Sequence, residues 1–305
     1  MRLCAVSVDL DEIPNYFAIH GLPEPSGPER SLVYDVALDR LAAFARDLSI
    51  PLTLFAIGSD LVRPEAAAKL RAAREAGFEI ANHSLDHRYD LVRLGRSEIR
   101  RQIHEGASAI KRATGASPAG FRAPGYTTSD EVLDVLRELA MAYDSSVFPC
   151  PIYWTAKAAK IGLIAASGRA SRSIIDSPAV LLAPTGPYRV GRPYWRRGSG
   201  LIELPIQVTR GARLPFFGTA VTMAGPRRAR LLCRMCVGEQ LVNLELHGID
   251  VLAADDGLQA LRAHQVDVRV PRARKLDALA AVIQELRQAR YSFVTLEEAA
   301  RTFAR

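Results

Sequence analysis

The chain has 305 residues, enough for one large domain or two ordinary ones. Hydrophobic residues make up 49% and charged residues 24%, a globular composition that excludes a disordered or collagen-like chain. Forty Lys and Arg against 33 Asp and Glu leave a net charge of +7. That mild excess suits anionic partners such as phosphate groups or an acidic membrane surface, and no aromatic-interleaved basic motif points to nucleic acid.

The longest uncharged run, Leu214–Pro226, is shorter than the ~20 apolar residues a spanning helix needs, so no transmembrane segment is expected. The first eleven residues carry Asp9 and Asp11 and lack the apolar core of a signal peptide, which suggests a cytoplasmic protein touching the inner membrane face at most. Four cysteines make no disulfide framework. The Cys233/Cys236 pair has no matching second ligand pair for a zinc knuckle and reads as two small apolar residues on a helix.

Taken in order, short apolar runs alternate with helical patterns. Leu3–Val8 is strand-like and ends in Asp9, and Tyr34–Leu48 carries Leu38, Leu41, Ala45 and Leu48 at helical spacing. Leu52–Ile57 reads as a strand. Pro64–Ala76 reads as a helix with Pro at its start and Gly77 past its end. Glu79–Asn82 is a short strand, Ser97–Thr114 a helix, and Thr128 to Glu131 a capping box that opens a helix over Glu131–Ala140. Phe148–Tyr194 is rich in Pro, Gly, Ser and Arg and reads as irregular, with strand signal resuming at Ile202–Thr209. Leu241–Leu246 is a strand, Lys275–Arg290 an amphipathic helix, and Tyr291–Thr295 the last strand. Thr295 to Glu298 caps the last helix. Strands alternating with helices imply βα units and a parallel sheet. At this length one barrel spanning residues 1–305, with an inserted segment over 148–217, fits better than two domains.

Polar residues cluster where strands end, the face on which a β/α barrel collects reactive groups. In Ser7-Val8-Asp9-Leu10-Asp11 the two carboxylates share one side of a strand, so one can bind a metal while the other acts as a base. His83 and His87, four residues apart directly after a strand, can converge on one metal. Arg122 precedes a Pro124-Gly125 turn. It can hold a carboxylate in a bidentate grip, and the backbone N–H after such a turn can serve as an oxyanion donor. Tyr143 to Ser146 taken alone is only turn composition. His247, at the end of a buried strand and followed by Gly248, is placed to act as a general acid. Singly, each pattern is also what exposed turns and packed histidines look like.

In this order the set Asp-x-Asp, H-S-x-x-H, R-x-P-x-Y, D-x-S and L-x-H resembles the polysaccharide deacetylase family, the NodB-homology domain of carbohydrate esterase family four, over roughly residues 3–300. The resemblance implies an α/β fold, a distorted (β/α)7-type barrel, holding one divalent metal. Zn suits two His and one Asp best, though Co, Ni and Fe also fit. It implies that Asp11, His83 and His87 bind the metal and that Asp9 is the catalytic base, oriented by Arg122. It also gives the oxyanion donor to the backbone N–H of Tyr126 and the general acid to His247. Asp144 either fixes the His247 tautomer or shapes the pocket.

Two departures bear on the substrate. Leu10 separates the two acids, as in the branch that includes cyclic-amide hydrolases and deformylases of lipid-linked amino sugars. No Trp follows the Asp144 motif, so Tyr153 and Trp154, or Tyr194 and Trp195, would have to supply the aromatic wall. The expected activity is removal of an N-acetyl or other N-acyl group from an amino-sugar glycoside or glycolipid. Hydrolysis of another C–N amide is the alternative, and a non-catalytic carbohydrate-binding homologue is a third. The basic amphipathic stretch Pro226–Val237, behind the apolar run from Leu214, is the expected contact with a lipid- or phosphate-bearing substrate or a membrane surface.

Overall fold

The computed structural model describes residues 2–304. Its strands are β1 (Leu3–Asp9), β2 (Thr53–Ala56), β3 (Glu79–Asn82), β4 (Gly120–Phe121), β5 (Tyr143–Asp144), β6 (Tyr188–Val190), β7 (Arg197–Glu203), β8 (Leu241–His247) and β9 (Ser292–Phe293). Its α-helices are α1 (Ile13–Ile19), α2 (Leu38–Asp47), α3 (Pro64–Glu75), α4 (Arg96–Thr114), α5 (Asp130–Glu138), α6 (Pro151–Ala166), α7 (Gly218–Arg234), α8 (Arg272–Gln288) and α9 (Leu296–Phe303).

The strands form one sheet in the order β6-β7-β5-β4-β3-β2-β1-β8, with β9 added to β1. Only the β6–β7 pair is antiparallel. The seven strands β1, β2, β3, β4, β5, β7 and β8 therefore run parallel and curl into the distorted barrel expected from the sequence. Past β7 the chain bridges the remaining gap. The Leu204 and Ile206 N–H groups donate to Asp144 and Val147, and the Gln207 N–H donates to the Asn243 carbonyl on β8. This explains why Ile202–Thr209 looks like a strand although regular pairing stops at Glu203: its backbone is extended and bonded to two different neighbours.

β1 is buried at every position because neighbouring strands flank it and helices cover its face. Its apolar residues Cys4, Val6 and Val8 belong to the main core, with Leu41 of α2, Leu70 of α3 and Leu279 of α8. The Thr295–Glu298 capping box forms as read: Glu298 N–H donates to Thr295 Oγ1 at 3.2 Å, and Thr295 N–H to Glu298 Oε2 at 2.8 Å. At α5 the cap is Ser129, whose Oγ accepts from Val132 N–H, so the box read one residue earlier does not form.

The segment read as irregular holds more order than expected, because α6 and β6 lie within it and the β6–β7 hairpin falls inside the wider insertion 148–217. The apolar run from Leu214 serves the interior, with Phe216 and Val221 fully buried. The basic stretch after it is the second half of α7. That helix kinks at Gly225-Pro226, packs along α8 and buries Ala229 and Cys233, leaving Arg227 and Arg228 exposed. All four cysteines are free and buried. Among the described residues no helix is long and apolar enough to cross a membrane.

Candidate metal and catalytic site

Register places the site before any side chain is considered. Asp9, the last residue of β1, is paired with Phe55 of β2 on one side and His247 of β8 on the other. Asn82 of β3 is paired with Phe121 of β4, so His83 and Arg122 leave their strands at the same level. The motif residues thus meet at the carboxyl ends of parallel strands, as barrel geometry requires.

Asp11, His83 and His87 converge. His83 Nε2 lies 3.3 Å from Asp11 Oδ1, His87 Nε2 lies 3.1 Å from Asp11 Oδ2, and the two Nε2 atoms are 3.2 Å apart. All three residues are buried. His87 adopts φ 50°, a left-handed conformation uncommon for a non-glycine residue, which turns its ring back toward His83. Each imidazole is held from behind. His83 Nδ1 is 2.7 Å from the Arg122 carbonyl and His87 Nδ1 is 3.2 Å from Asn15 Oδ1. Both partners are acceptors, so the Nδ1 atoms carry the protons and the Nε2 lone pairs face each other. Two facing lone pairs beside a carboxylate whose Oδ1 has no hydrogen-bond donor make a site with a place for a cation. The donor set, two imidazoles and one carboxylate, fits a divalent metal with open positions. Burial by itself would raise the Asp11 pKa, but the two histidines outweigh it and hold the carboxyl well below the usual range.

Asp9 is the second carboxylate. Arg122, wholly buried, donates from Nη1 to Asp9 Oδ1 at 2.6 Å, from Nη2 to Ser7 Oγ and Ser145 Oγ at 2.9 Å each, and from Nε to the Ser145 carbonyl at 2.9 Å. Its guanidinium lies 4.1 Å from the centre of the Phe55 ring. Asp9 Oδ2 is left without a donor.

His247 stands beside Asp9. Its Nδ1 is 3.0 Å from Glu245 Oε1, and its Nε2 is 3.3 Å from the Tyr126 hydroxyl. Burial alone would lower the His247 pKa. The charge and hydrogen bond of Glu245 overcome that and hold it well above the usual imidazole value. Sequence reasoning did not assign Glu245, although it lies two residues from His247 on the same strand face, a spacing that could have revealed it.

Asp144, one candidate for that orienting role, lies elsewhere. It accepts from Ser146 Oγ at 2.7 Å and faces Glu203, its register partner across β5 and β7. Burial pushes its pKa up to about 6. Glu203 is also raised, by burial first and then by the charge of Asp144. The pair braces the Arg122 loop, since Ser146 Oγ accepts from Ala123 N–H at 2.8 Å. The Tyr126 N–H, the expected oxyanion donor, is engaged by the Ala123 carbonyl at 3.1 Å, so the Tyr126 phenol is the group turned toward His247.

Asp9, Asp11 and His247 open onto a cavity of about 230 Å³. Its walls include Tyr16, Tyr89, Tyr126, Tyr153 and Phe217. Tyr153 thus supplies part of the missing aromatic wall. Trp154, Tyr194 and Trp195 pack in a separate apolar cluster and do not line the cavity.

Comparisons with known proteins point to the same family. Residues 32–143 match the family model described as polysaccharide deacetylase. A peptidoglycan deacetylase of Helicobacter pylori is 24% identical over 147 residues, 48% of this chain and 49% of that protein, so the match spans about half of the curated relative's length. The fold is shared with a solved protein of Mycobacterium smegmatis described as a candidate polysaccharide deacetylase, at 17% identity and a TM-score of 0.59, covering 99% of this chain and 90% of that one. The chain is thus similar to polysaccharide deacetylases over residues 32–143 and shares the fold of the solved protein along nearly its whole length.

Proposed function

We propose that the protein is a metal-dependent hydrolase, one domain with the segment 148–217 inserted, that removes an N-acetyl or other N-acyl group from an amino sugar. The observation that carries this reading is the convergence of Asp11, His83 and His87 beside two separately oriented groups, Asp9 with Arg122 and His247 with Glu245, on one cavity.

Asp11, His83 and His87 would hold the cation, zinc first among the candidates. A divalent cation there supplies a polarised carbonyl and a bound water of lowered pKa. Asp9 is the base, and its undonated Oδ2 is the oxygen free to take a proton from the attacking water. Arg122 holds the Asp9 carboxylate in place through its Nη1 donor. His247 gives a proton to the departing amine, which is too basic to leave as an anion, and Glu245 stabilises the imidazolium that makes this possible. Tyr126 is the nearest hydroxyl to that proton.

A compact, aromatic-walled cavity supports a short substrate over a long polymer groove, and equally supports another small C–N amide on the same machinery. A panel of N-acetylated glycosides and cyclic amides, assayed for amine and acid release, decides between them. Release that stops with chelator and returns with added zinc or cobalt is the expected result. Turnover untouched by exhaustive chelation would sink the metal-dependent reading.

A further inference from the structure

The turn that carries Tyr126 toward His247 is strained. Gly125 and Tyr126 both lie in the left-handed region, at φ 63° and φ 59°, and for a residue as bulky as tyrosine that conformation is an outlier. Such a backbone persists only where its surroundings over-determine it. Here the restraints meet on one peptide unit, Gly125–Tyr126. Its N–H donates to the Ala123 carbonyl at 3.1 Å. Its oxygen accepts from Lys157 Nζ at 2.9 Å, the one donor it has among the described residues. The unit is trans, so these two groups point in opposite directions and its plane is gripped at both ends. The torsions on either side of that plane are Gly125 ψ and Tyr126 φ. The second decides where the Tyr126 side chain leaves the backbone.

Lys157 comes from α6, one turn after Tyr153. It is half-buried and makes no ion pair among the described residues. Asp176, the acid that acts on it, accepts instead from Ser177 N–H at 2.7 Å and from the Tyr194 hydroxyl at 3.4 Å. Burial pushes the Lys157 pKa down to about 8, so the side chain is still charged at pH 7 and its bond to the carbonyl is charge-assisted. The ammonium also lies 5.8 Å from the centre of the Tyr153 ring, and the Tyr153 and Tyr126 rings pack with centres 5.8 Å apart. Helix α6 therefore restrains Tyr126 through its backbone and through its ring. At the far end the Tyr126 hydroxyl stands 3.3 Å from His247 Nε2. A protonated imidazole donates from both nitrogens, so Nδ1–H meets Glu245 and Nε2–H meets Tyr126 Oη. The Nε2 proton is the one handed to the departing amine in the reaction proposed above, and the hydroxyl aims it.

We propose that Lys157 is a positioning residue for His247: its ammonium fixes the Gly125–Tyr126 peptide and so keeps the Tyr126 hydroxyl on Nε2. Lys157 does not line the cavity, so it acts through Tyr126 and not on the substrate. The inserted helix thereby takes part in the chemistry. This inference rests on the hydrolase reading, and its test includes a readout that needs no turnover.

The full chain loaded with zinc is compared as wild type, K157M, K157R, Y126F and the double variant K157M/Y126F. One readout is kcat and KM on the best substrate of the glycoside and amide panel. The other is the ring-nitrogen NMR resonances of His247 in histidine-labelled protein at a single pH, assigned by their absence in H247Q. K157M should lower kcat by about tenfold to a hundredfold, the scale of a misplaced catalytic group, with KM changed less than about twofold. K157R keeps a charged donor and should recover most of the rate. The double variant should be no slower than the slower single variant, because both changes break the same link. The His247 resonances of K157M should move toward those of Y126F, while those of K157R stay near the wild type. Wild-type kcat with unshifted resonances in K157M, or losses that multiply in the double variant, overturn the proposal. A fall in rate that K157R does not recover and that tracks lost zinc or a lowered melting temperature makes Lys157 a structural residue only, and overturns it as well. If the wild type turns over nothing in the panel, the hydrolase reading falls, and the His247 resonances still decide for or against Lys157.

Discussion

Arg122 has no exposed surface, and its guanidinium nitrogens all find acceptors among Asp9, Ser7 and Ser145. A buried cation in such a fork is worth keeping only as a unit. Removing it strands the Asp9 carboxylate in a dry site, a loss of roughly 3–5 kcal/mol. R122A should therefore unfold at markedly lower urea and lose the proposed hydrolase activity. R122K keeps the charge, cannot span the same acceptors, and should recover stability better than rate. If both variants keep wild-type kcat, Arg122 does not orient the base. Glu245 makes a separate claim on pH. In the proposed reaction His247 must hold a proton to act as an acid, so the rate should fall as pH rises through its pKa, which Glu245 holds up against burial. E245Q keeps the side-chain shape but removes the charge. Its high-pH limb should move to lower pH, with a loss bounded by the ~10²–10⁴-fold a general acid contributes. A pH–rate profile that superimposes on the wild type would remove Glu245 from the mechanism.

At the scale of elements, α7 shows how one residue sets a path. Gly225 has φ 73° and ψ 169°, a region open essentially to glycine, and a Cβ there would come within 2.9 Å of Arg274 on α8. The kink it allows lets the first part of the helix carry Thr219 to the cavity while the second part lies along α8. G225A should cost about 1–3 kcal/mol in urea unfolding, and a neutral result would mean that the kink is not needed for packing. The strands β1 and β8 were legible because their apolar runs end in polar groups at Asp9 and His247, and the short β3 because two histidines follow it. Helix α6 was not. Its protein-facing side carries the half-buried Lys157 between Tyr153 and Ile164, while Ile152 and Leu163 are exposed, so no clean apolar period announces the helix. The β6–β7 hairpin was hidden for a related reason. Residues Arg197 to Ser199 on β7 are exposed, and its glycines are where backbone approaches backbone: a Gly198 Cβ would lie 2.5 Å from Gly191.

The molecule as a whole brings together residues from positions 9 to 247, and parallel register makes that reunion orderly: successive strand ends stand side by side, so motif order along the chain becomes position around the rim. What order could not reveal was pairing between strands. Asp144, which the sequence offers either as the residue that fixes the His247 tautomer or as one that shapes the pocket, lies opposite Glu203 across the β5–β7 pair, and that pairing depends on where β7 falls. The β5–β7 pair therefore holds two buried carboxyls with raised pKa values, and stability should respond. Asp144 in the folded protein loses its proton at about 6 against an ordinary 3.8. A raised carboxyl contributes stability that is fully present below its unfolded pKa and is lost as pH rises through the folded one. Between pH 4 and pH 6 the wild type should lose that contribution, while D144N, a permanently neutral mimic of the protonated acid, has none to lose. Melting temperatures of the two proteins compared across that window should show D144N gaining on the wild type as pH rises. Parallel curves would mean that Asp144 stays ionised inside the fold.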